Sequence, residues 1–278
     1  MQNKRNDYLF VFDIETIPDT DSVANLTGCN DTESIEYKRD LLSNYHLEIT
    51  NGQNSFPRQL FHRIVAISAL IAQITTSNQS TSYKLLELKS AAKEDSTEAE
   101  LITSFFSTLE KLEPKLITFN GRTFDIPVLK YRAMVHGISC AKFYNLGNKW
   151  ENYSQRYSSE YHCDLLDILS DYGSSARIKL SEVCSILGFP GKMGVDGSKV
   201  TDLFDQGKVN EIRDYCETDV LNTYLVYLRV CVHRGTISKD DYNNAIDQIL
   251  SFIDANNKAH LTEFKQEFNI ASRGNIYL

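Results

Sequence analysis

The sequence predicts one α/β domain with helical additions on its C-terminal side, and three observations predict it. The run YLFVF (8–12) is apolar on both alternating faces, as a strand covered on both sides of a sheet must be. Further strand-like runs follow and then alternate with segments of helical period. The last part of the chain is helical in pattern, and no internal repeat or interdomain linker interrupts it. The expected organisation is a single domain over 1–278, with a core at about 7–233, an insertion at 19–60 and a helical extension at 238–278.

The elements follow in order. Residues 7–13 form the first strand. Residues 19–60 are polar and turn-rich (TGCNDTES, ITNGQNS), with a short helix around 33–45, and read as an insertion or flap at the rim of that strand. RIVAISALIAQI (63–74) and SYKLLELK (82–89) are two strands joined by the hairpin TTSNQST. STEAELITSFFSTLEKL (96–112) has a Ser or Thr cap, early acids and apolar residues at helical spacing. KLITFN (115–120) is a short strand, and DIPVLKYRAMVHG (125–137) a helix closed by Gly137. After a loop rich in Tyr, Asn and Ser come HCDLLDIL (162–169), SEVCSILG (181–188), a glycine-rich loop at 188–199, a long helix at 208–233 and an amphipathic helix near 239–256 before a polar tail.

With 278 residues and 42% apolar content the chain can bury a full core. Its opening, MQNKRNDYLF, has no apolar signal-peptide region, and no run approaches the ~20 residues of a membrane span. The six cysteines form no CxxC pair, which suits reduced thiols in the cytoplasm. A net charge of −8 excludes broad basic-surface binding of nucleic acid, but not a local site where cations offset clustered acids.

Such a cluster can be assembled from three segments. Asp13 and Glu15 stand two residues apart at the end of the first strand, so they point to one face, and strand carboxyl ends are where open α/β sheets place their sites. Two carboxylates this close repel unless a proton or cation lies between them. Alone, the pair also fits solvated acids at a fraying end. In ITFNGRTFDIPVL (117–129), Asp125 fits equally well as an N-cap with Pro127 in the first turn, Asn120 as a turn residue and Phe124 as core. In EIRDYCETDVLNTYLVYLR (211–229), at ~100° per residue, Ile212, Cys216, Val220 and Thr223 share an inward face while Arg213, Asp214 and Glu217 lie opposite. Asp219 falls inside the inward arc with Tyr215 beside it, and no Lys or Arg stands one turn away to pair with it. Four acids with few Cys or His suit hard cations, Mg²⁺ or Mn²⁺. Two such ions ~4 Å apart are a recurrent device for phosphodiester cleavage.

The order FDIET, NGRTFD, YCETD resembles the three motifs of the DEDD (DnaQ-like) 3′–5′ exonucleases, and Tyr215 four residues before Asp219 is similar to the DEDDy branch. The resemblance is closer to bacterial stand-alone proteins described as predicted family-B-polymerase-like 3′–5′ exonucleases. It extends through IPVLKYRA, CDLLDILSDYG, LGFPGKMGVDGSKV and YCETDVLNTYLVYLR, over most of residues 8–230. It implies a ribonuclease-H-like fold, a mixed five-stranded sheet flanked by helices, here with extra C-terminal helices. It also implies two divalent cations, Mg²⁺ or Mn²⁺, held by Asp13, Glu15, Asp125 and Asp219. Asp13 would serve both ions, Glu15 and Asp219 would complete one site, Asp125 would act through water, and Tyr215 would orient the attacking water. Ile14 and Thr16 would meet the terminal 3′-nucleotide, and Asn120 and Phe124 the next one. The implied activity is removal of nucleoside 5′-monophosphates from single-stranded 3′ ends, DNA favoured. An exoribonuclease or oligoribonuclease on the same scaffold, or a non-catalytic nucleic-acid-binding module, are the alternatives. No replication or repair partner is identified.

Other features have plainer readings. Asp164 and Asp167 fit supporting acids or a helix cap. His162 and His136 lie outside the third motif and read as structural. GFPGKMGVDGSK lacks the P-loop pattern, though Lys192 and Lys199 fit contacts to a substrate backbone. Tyr144, Tyr153, Tyr157 and Tyr161, with Lys142, Lys149 and Arg156 among them, fit either a stacking platform or a half-buried connection.

Overall fold

The structure, a computed structural model, describes residues 7–77, 81–91, 93, 95–193 and 197–278. The hairpin tip at 78–80 and residues 194–196 of the glycine-rich loop lie outside the described residues. The sheet has five strands: β1 (Tyr8–Pro18), β2 (His62–Thr76), β3 (Thr81–Ser90), β4 (Lys115–Thr118) and β5 (His162–Asp164). Their spatial order is β3-β2-β1-β4-β5. β1 runs antiparallel to β2 from Tyr8 opposite Gln73 to Pro18 opposite His62, and parallel to β4 from Leu9 to Val11. β2 and β3 are antiparallel and β4 and β5 parallel. This is the mixed five-stranded sheet, flanked by helices, that the resemblance implied.

The double-sided apolar pattern of β1 follows from its central place. Phe10, Phe12 and Ile14 pack on one face against α3 (Glu98–Leu112) and α4 (Asp125–Val135). Phe12 and Phe105 meet edge-on with centroids 4.8 Å apart, where truncation to Ala costs about 3–5 kcal/mol. Leu9 and Val11 pack on the other face in a cluster with α9 (Val209–His233). α3 begins at a full capping box, Thr97 and Glu100 exchanging bonds, as the sequence predicts.

Three elements differ from expectation. β1 continues to Pro18, so the two acids sit inside a paired strand and not at a fraying end, because β2 pairs with it over that whole length. The 19–60 stretch is about half helical, with α1 (Val23–Thr27) and α2 (Ile35–Ile49) around a small core of Val23, Leu42 and Phe61. Two of its charged residues reach tertiary partners: Asp19 accepts from Arg132 at 2.6 Å, and Arg39 forks onto Asp205 at 2.6 and 2.8 Å. The tail after α10 (Lys239–Asn256) contains a further helix, α11 (Ala259–Ala271), whose Leu261, Phe264 and Phe268 join the cluster under α9. The remaining helices are α5 (Ala141–Asn145), α6 (Leu165–Leu169), α7 (Leu180–Leu187) and α8 (Val200–Asp205). No helix among the described residues is long and apolar enough to cross a membrane, and the six cysteines are free.

Candidate active site

Asp13 and Glu15 extend the row begun by Leu9 and Val11, so they face α9. Past Glu15 the pairing with β2 slips by one residue, with Glu15 opposite Ala66 and Thr16 opposite Ile64. Such a bulge re-aims the strand that leaves the site. The parallel pairing with β4 stops at Val11, and farther along β1 the Ile14 N–H is taken by the Asp125 carboxylate at 3.2 Å. Asp125 is therefore not the N-cap of α4. Phe124 holds that position, and the acid, the first helical residue, is turned toward β1.

The turn between β4 and α4 is built to aim that acid. Asn120 has φ of 70°, a left-handed conformation that Asn tolerates. A Cβ on Gly121 would lie 2.6 Å from the Thr118 side chain, so only glycine fits. Asp164 accepts from Asn120 N at 2.8 Å, Arg122 N at 2.9 Å and Leu166 N at 3.0 Å, which joins the turn to the start of α6. It is a cap and a brace together. Asp167 pairs with Arg156 and Arg122, His162 is buried and bonded to the Thr118 hydroxyl at 2.8 Å, and His136 bonds Glu98. All four belong to the scaffold.

From the other side α9 presents Tyr215, Cys216 and Asp219. The Tyr215 hydroxyl is hydrogen-bonded to the Asp219 carboxylate. Cys216 Sγ lies 3.4 Å from the carbonyl oxygen of Asp13 and 3.8 Å from its carboxylate. Ligand atoms of Asp13, Glu15 and Cys216 all fall within 4.8 Å of one another. Asn222, one turn on, grips the backbone of Gly191 through both its amide atoms, at 3.1 and 2.8 Å. That grip brings Lys192 to a cavity of about 160 Å³ lined also by Lys179, Leu180, Ser181, Gly191 and Asp219.

Burial first, then repulsion from Asp125, Glu15 and Asp219, raises the Asp13 carboxyl well above the ordinary range. Glu15 is raised in the same way, by burial and then by Asp219 and Asp125. Burial pushes Asp125 up to about 7. Burial and the same acids push the Tyr215 hydroxyl far above its usual value, so it keeps its proton. Carboxylates forced together in this way, all oxygen donors, fit a hard divalent cation.

Glu217 corrects the helical-face reading: it is 3% exposed. Its carboxylate accepts from Ser90 N at 2.9 Å and the Ser90 hydroxyl at 3.2 Å, and its other side meets Lys258 at 3.0 Å and His260 at 2.9 Å. Ser90 lies opposite Ser68 and Ser68 opposite Asp13, so a hydrogen-bonded row crosses the sheet from the C-terminal helices to the site. The sequence reading missed this row because Lys258 and His260 belong to the segment taken as tail.

Of the expected nucleotide contacts, the Ile14 side chain is in the core, while Thr16 and Phe124 are half-buried. Thr16 Oγ1 meets His62 Nδ1 at 2.8 Å. Asn120 Oδ1 accepts from Arg177, a cation that the sequence reading did not single out. Tyr153 is core and donates to the Pro114 carbonyl, while Tyr144 and Tyr157 are exposed.

Sheet, turn and helix thus define an α/β fold with an acidic centre between β1, α4 and α9. Residues 54–268 match the model of a family described as a predicted 3′–5′ exonuclease related to the exonuclease domain of PolB, and the chain belongs to that family. The matched span holds the second and third acid-bearing segments and begins after Asp13 and Glu15. No curated protein matches the chain. Among solved structures, the family B DNA polymerase from the hyperthermophilic archaeon Pyrobaculum calidifontis is similar at 17% identity and a TM-score of 0.45. The similarity covers 78% of this chain and 23% of that one, so the chain spans under a quarter of the polymerase's length. Family membership supports exonuclease activity on nucleic acid.

Proposed function

We propose that this protein is a metal-dependent 3′–5′ exonuclease of the DEDDy type that releases nucleoside 5′-monophosphates from single-stranded ends, DNA favoured. One observation carries the reading: Asp13 and Glu15 of β1, Asp125 of α4 and Asp219 of α9 come together so closely that burial and the neighbouring acids raise the proton affinity of Asp13 and Glu15, and burial that of Asp125. Asp13, Glu15, Asp125 and Asp219 would hold two divalent cations, Mg²⁺ or Mn²⁺. Such cations, when bound, favour ionised water and offset the charge that builds on the attacking and leaving oxygens.

The chain's own residues do the rest. Tyr215, kept protonated and tied to Asp219, serves as a fixed hydroxyl that orients water, not as a base. Thr16 and Phe124 adjoin Glu15 and Asp125 in the chain, and with Asn120 of the preceding turn they would meet the 3′ end of the substrate. The brace from Asp164 fixes the turn carrying Asn120 to the end of β5 and the start of α6.

The test is a gel time course with 5′-labelled single-stranded DNA and RNA of one sequence in Mg²⁺, Mn²⁺ or EDTA. A metal-dependent ladder shortening from the 3′ end, faster on DNA, is expected. No ladder on either polymer would remove the reading, and a ladder faster on RNA would make the protein an exoribonuclease.

A further inference from the structure

Phe56 is a phenylalanine 58% exposed in the stretch between α2 and β2, and its surroundings give it a use. Its ring centroid lies 4.9 Å from His62 and 6.3 Å from Phe124, and His62 meets Phe124 edge-on at 5.0 Å. The three rings form one aromatic group at the rim of the site, because Phe124 precedes Asp125 and the His62 ring touches Thr16, next to Glu15.

The group is held rigidly. His62 Nε2 meets the Pro57 carbonyl at 3.0 Å, so that nitrogen carries the hydrogen and Nδ1 accepts from the Thr16 hydroxyl. Burial holds the His62 imidazole below its ordinary pKa, so the ring is neutral. Gln59 donates to the Thr123 carbonyl at 2.9 Å, and the Asn54 side chain accepts from Phe56 N at 2.9 Å. The segment is therefore pinned to β1 through Thr16 and to the turn before α4 through Thr123. A single exposed apolar residue needs no explanation. One held against two further rings, of which Phe124 precedes Asp125 and His62 is bonded to the neighbour of Glu15, does.

We infer that Phe56, backed by His62 and Phe124, is a base-stacking shelf on which an unpaired base near the 3′ end of the substrate rests. The inference rests on the exonuclease reading for its substrate, and it gives the 19–60 insertion a role: that segment delivers Phe56. Every base has a face that stacks on an aromatic ring, so the shelf grips without reading sequence. In a chain of net charge −8 such an uncharged grip matters more. A base inside a duplex has both faces covered by its neighbours, so the shelf favours single strands.

The test measures binding of single-stranded oligonucleotides in Ca²⁺, intact or with an abasic site at each of the last three 3′ positions. The unaltered protein should lose affinity about tenfold at one of those positions. Phe56→Ala should bind the intact oligonucleotide about tenfold more weakly and be indifferent to the same abasic site, while Phe56→Trp restores both behaviours. Tyr37→Ala, an exposed aromatic of the same insertion on α2, should bind as the unaltered protein does. Phe56→Ala binding with unchanged affinity, or keeping the full abasic penalty, would overturn the shelf. Cleavage by the unaltered protein in Mg²⁺ is scored separately: binding without cleavage removes the exonuclease reading and leaves the shelf standing.

Discussion

Substituting Asp125 by Asn tests whether the acids are held together against their own charge. Asn keeps the shape and an acceptor for the Ile14 N–H, but cannot ionise. Burial raises the Asp125 carboxyl from 3.8 to about 7. Between those values the folded state keeps a proton that the unfolded state has released, so stability falls as pH rises through that window. A shift of about three units corresponds to about 4 kcal/mol. His62 and His162, kept neutral by burial, act in the opposite direction below about pH 6.5, so the quantity to read is the difference between the two proteins. Without divalent ions, the two should be equally stable near about pH 4 and separate steadily above it, Asp125→Asn being more stable by up to about 4 kcal/mol at about pH 8. At about 2–4 °C per kcal/mol, that is a gap of about 10 °C in thermal melts. Mn²⁺ should narrow the gap by stabilising the protein that retains the carboxylate more strongly, by up to about 2.7 kcal/mol at a hundred times its Kd. A variant less stable at high pH in EDTA, or a gap that ignores pH and metal, would refute the reasoning.

Three further outcomes follow from the same geometry. Tyr215→Phe should slow cleavage about tenfold, less than loss of any acid, in single-turnover assays, because it removes one oriented hydroxyl and no charge. Arg132→Met should cost about 3–5 kcal/mol in denaturant unfolding, since it strands the buried Glu98 and Asp19 carboxylates that Arg132 now meets at 2.6 Å. Gly121→Ala should lower activity more than stability, measured as kcat against Tm, because a Cβ 2.6 Å from Thr118 must shift the turn that aims Asp125.

Much of this was legible in the sequence where local pattern and tertiary role agree. β1 announces its central position by being apolar on both faces, and the capping box of α3 announces its start. The two-faced reading of the long helix is only part of the truth, since α9 is buried nearly all round from Tyr215 to Leu228 while Asp219 itself is half-buried beside the cavity of Lys192. The failures share a cause, which is that the deciding partner is far away in sequence. Asp125 looks like a cap until the Ile14 N–H, 111 residues earlier, claims it. Glu217 looks solvated until Lys258 and His260 close over it, and those lie in a helix whose three buried residues are too sparse to stand out from a polar tail. The insertion looks irregular because its polar residues are matched by Arg132 and Asp205, which local pattern does not reveal.

The central claim, that the facing acids carry the chemistry, is tested most directly by single-turnover cleavage of a 5′-labelled single strand with Asp13→Ala beside the unaltered protein, thermal melts being run on both. The account predicts that the variant folds and that cleavage from the 3′ end in Mg²⁺ is abolished, since Asp13 is the acid on which Asp125, Glu15 and Asp219 all act. A folded Asp13→Ala that cleaves within a few-fold of the unaltered rate would contradict it.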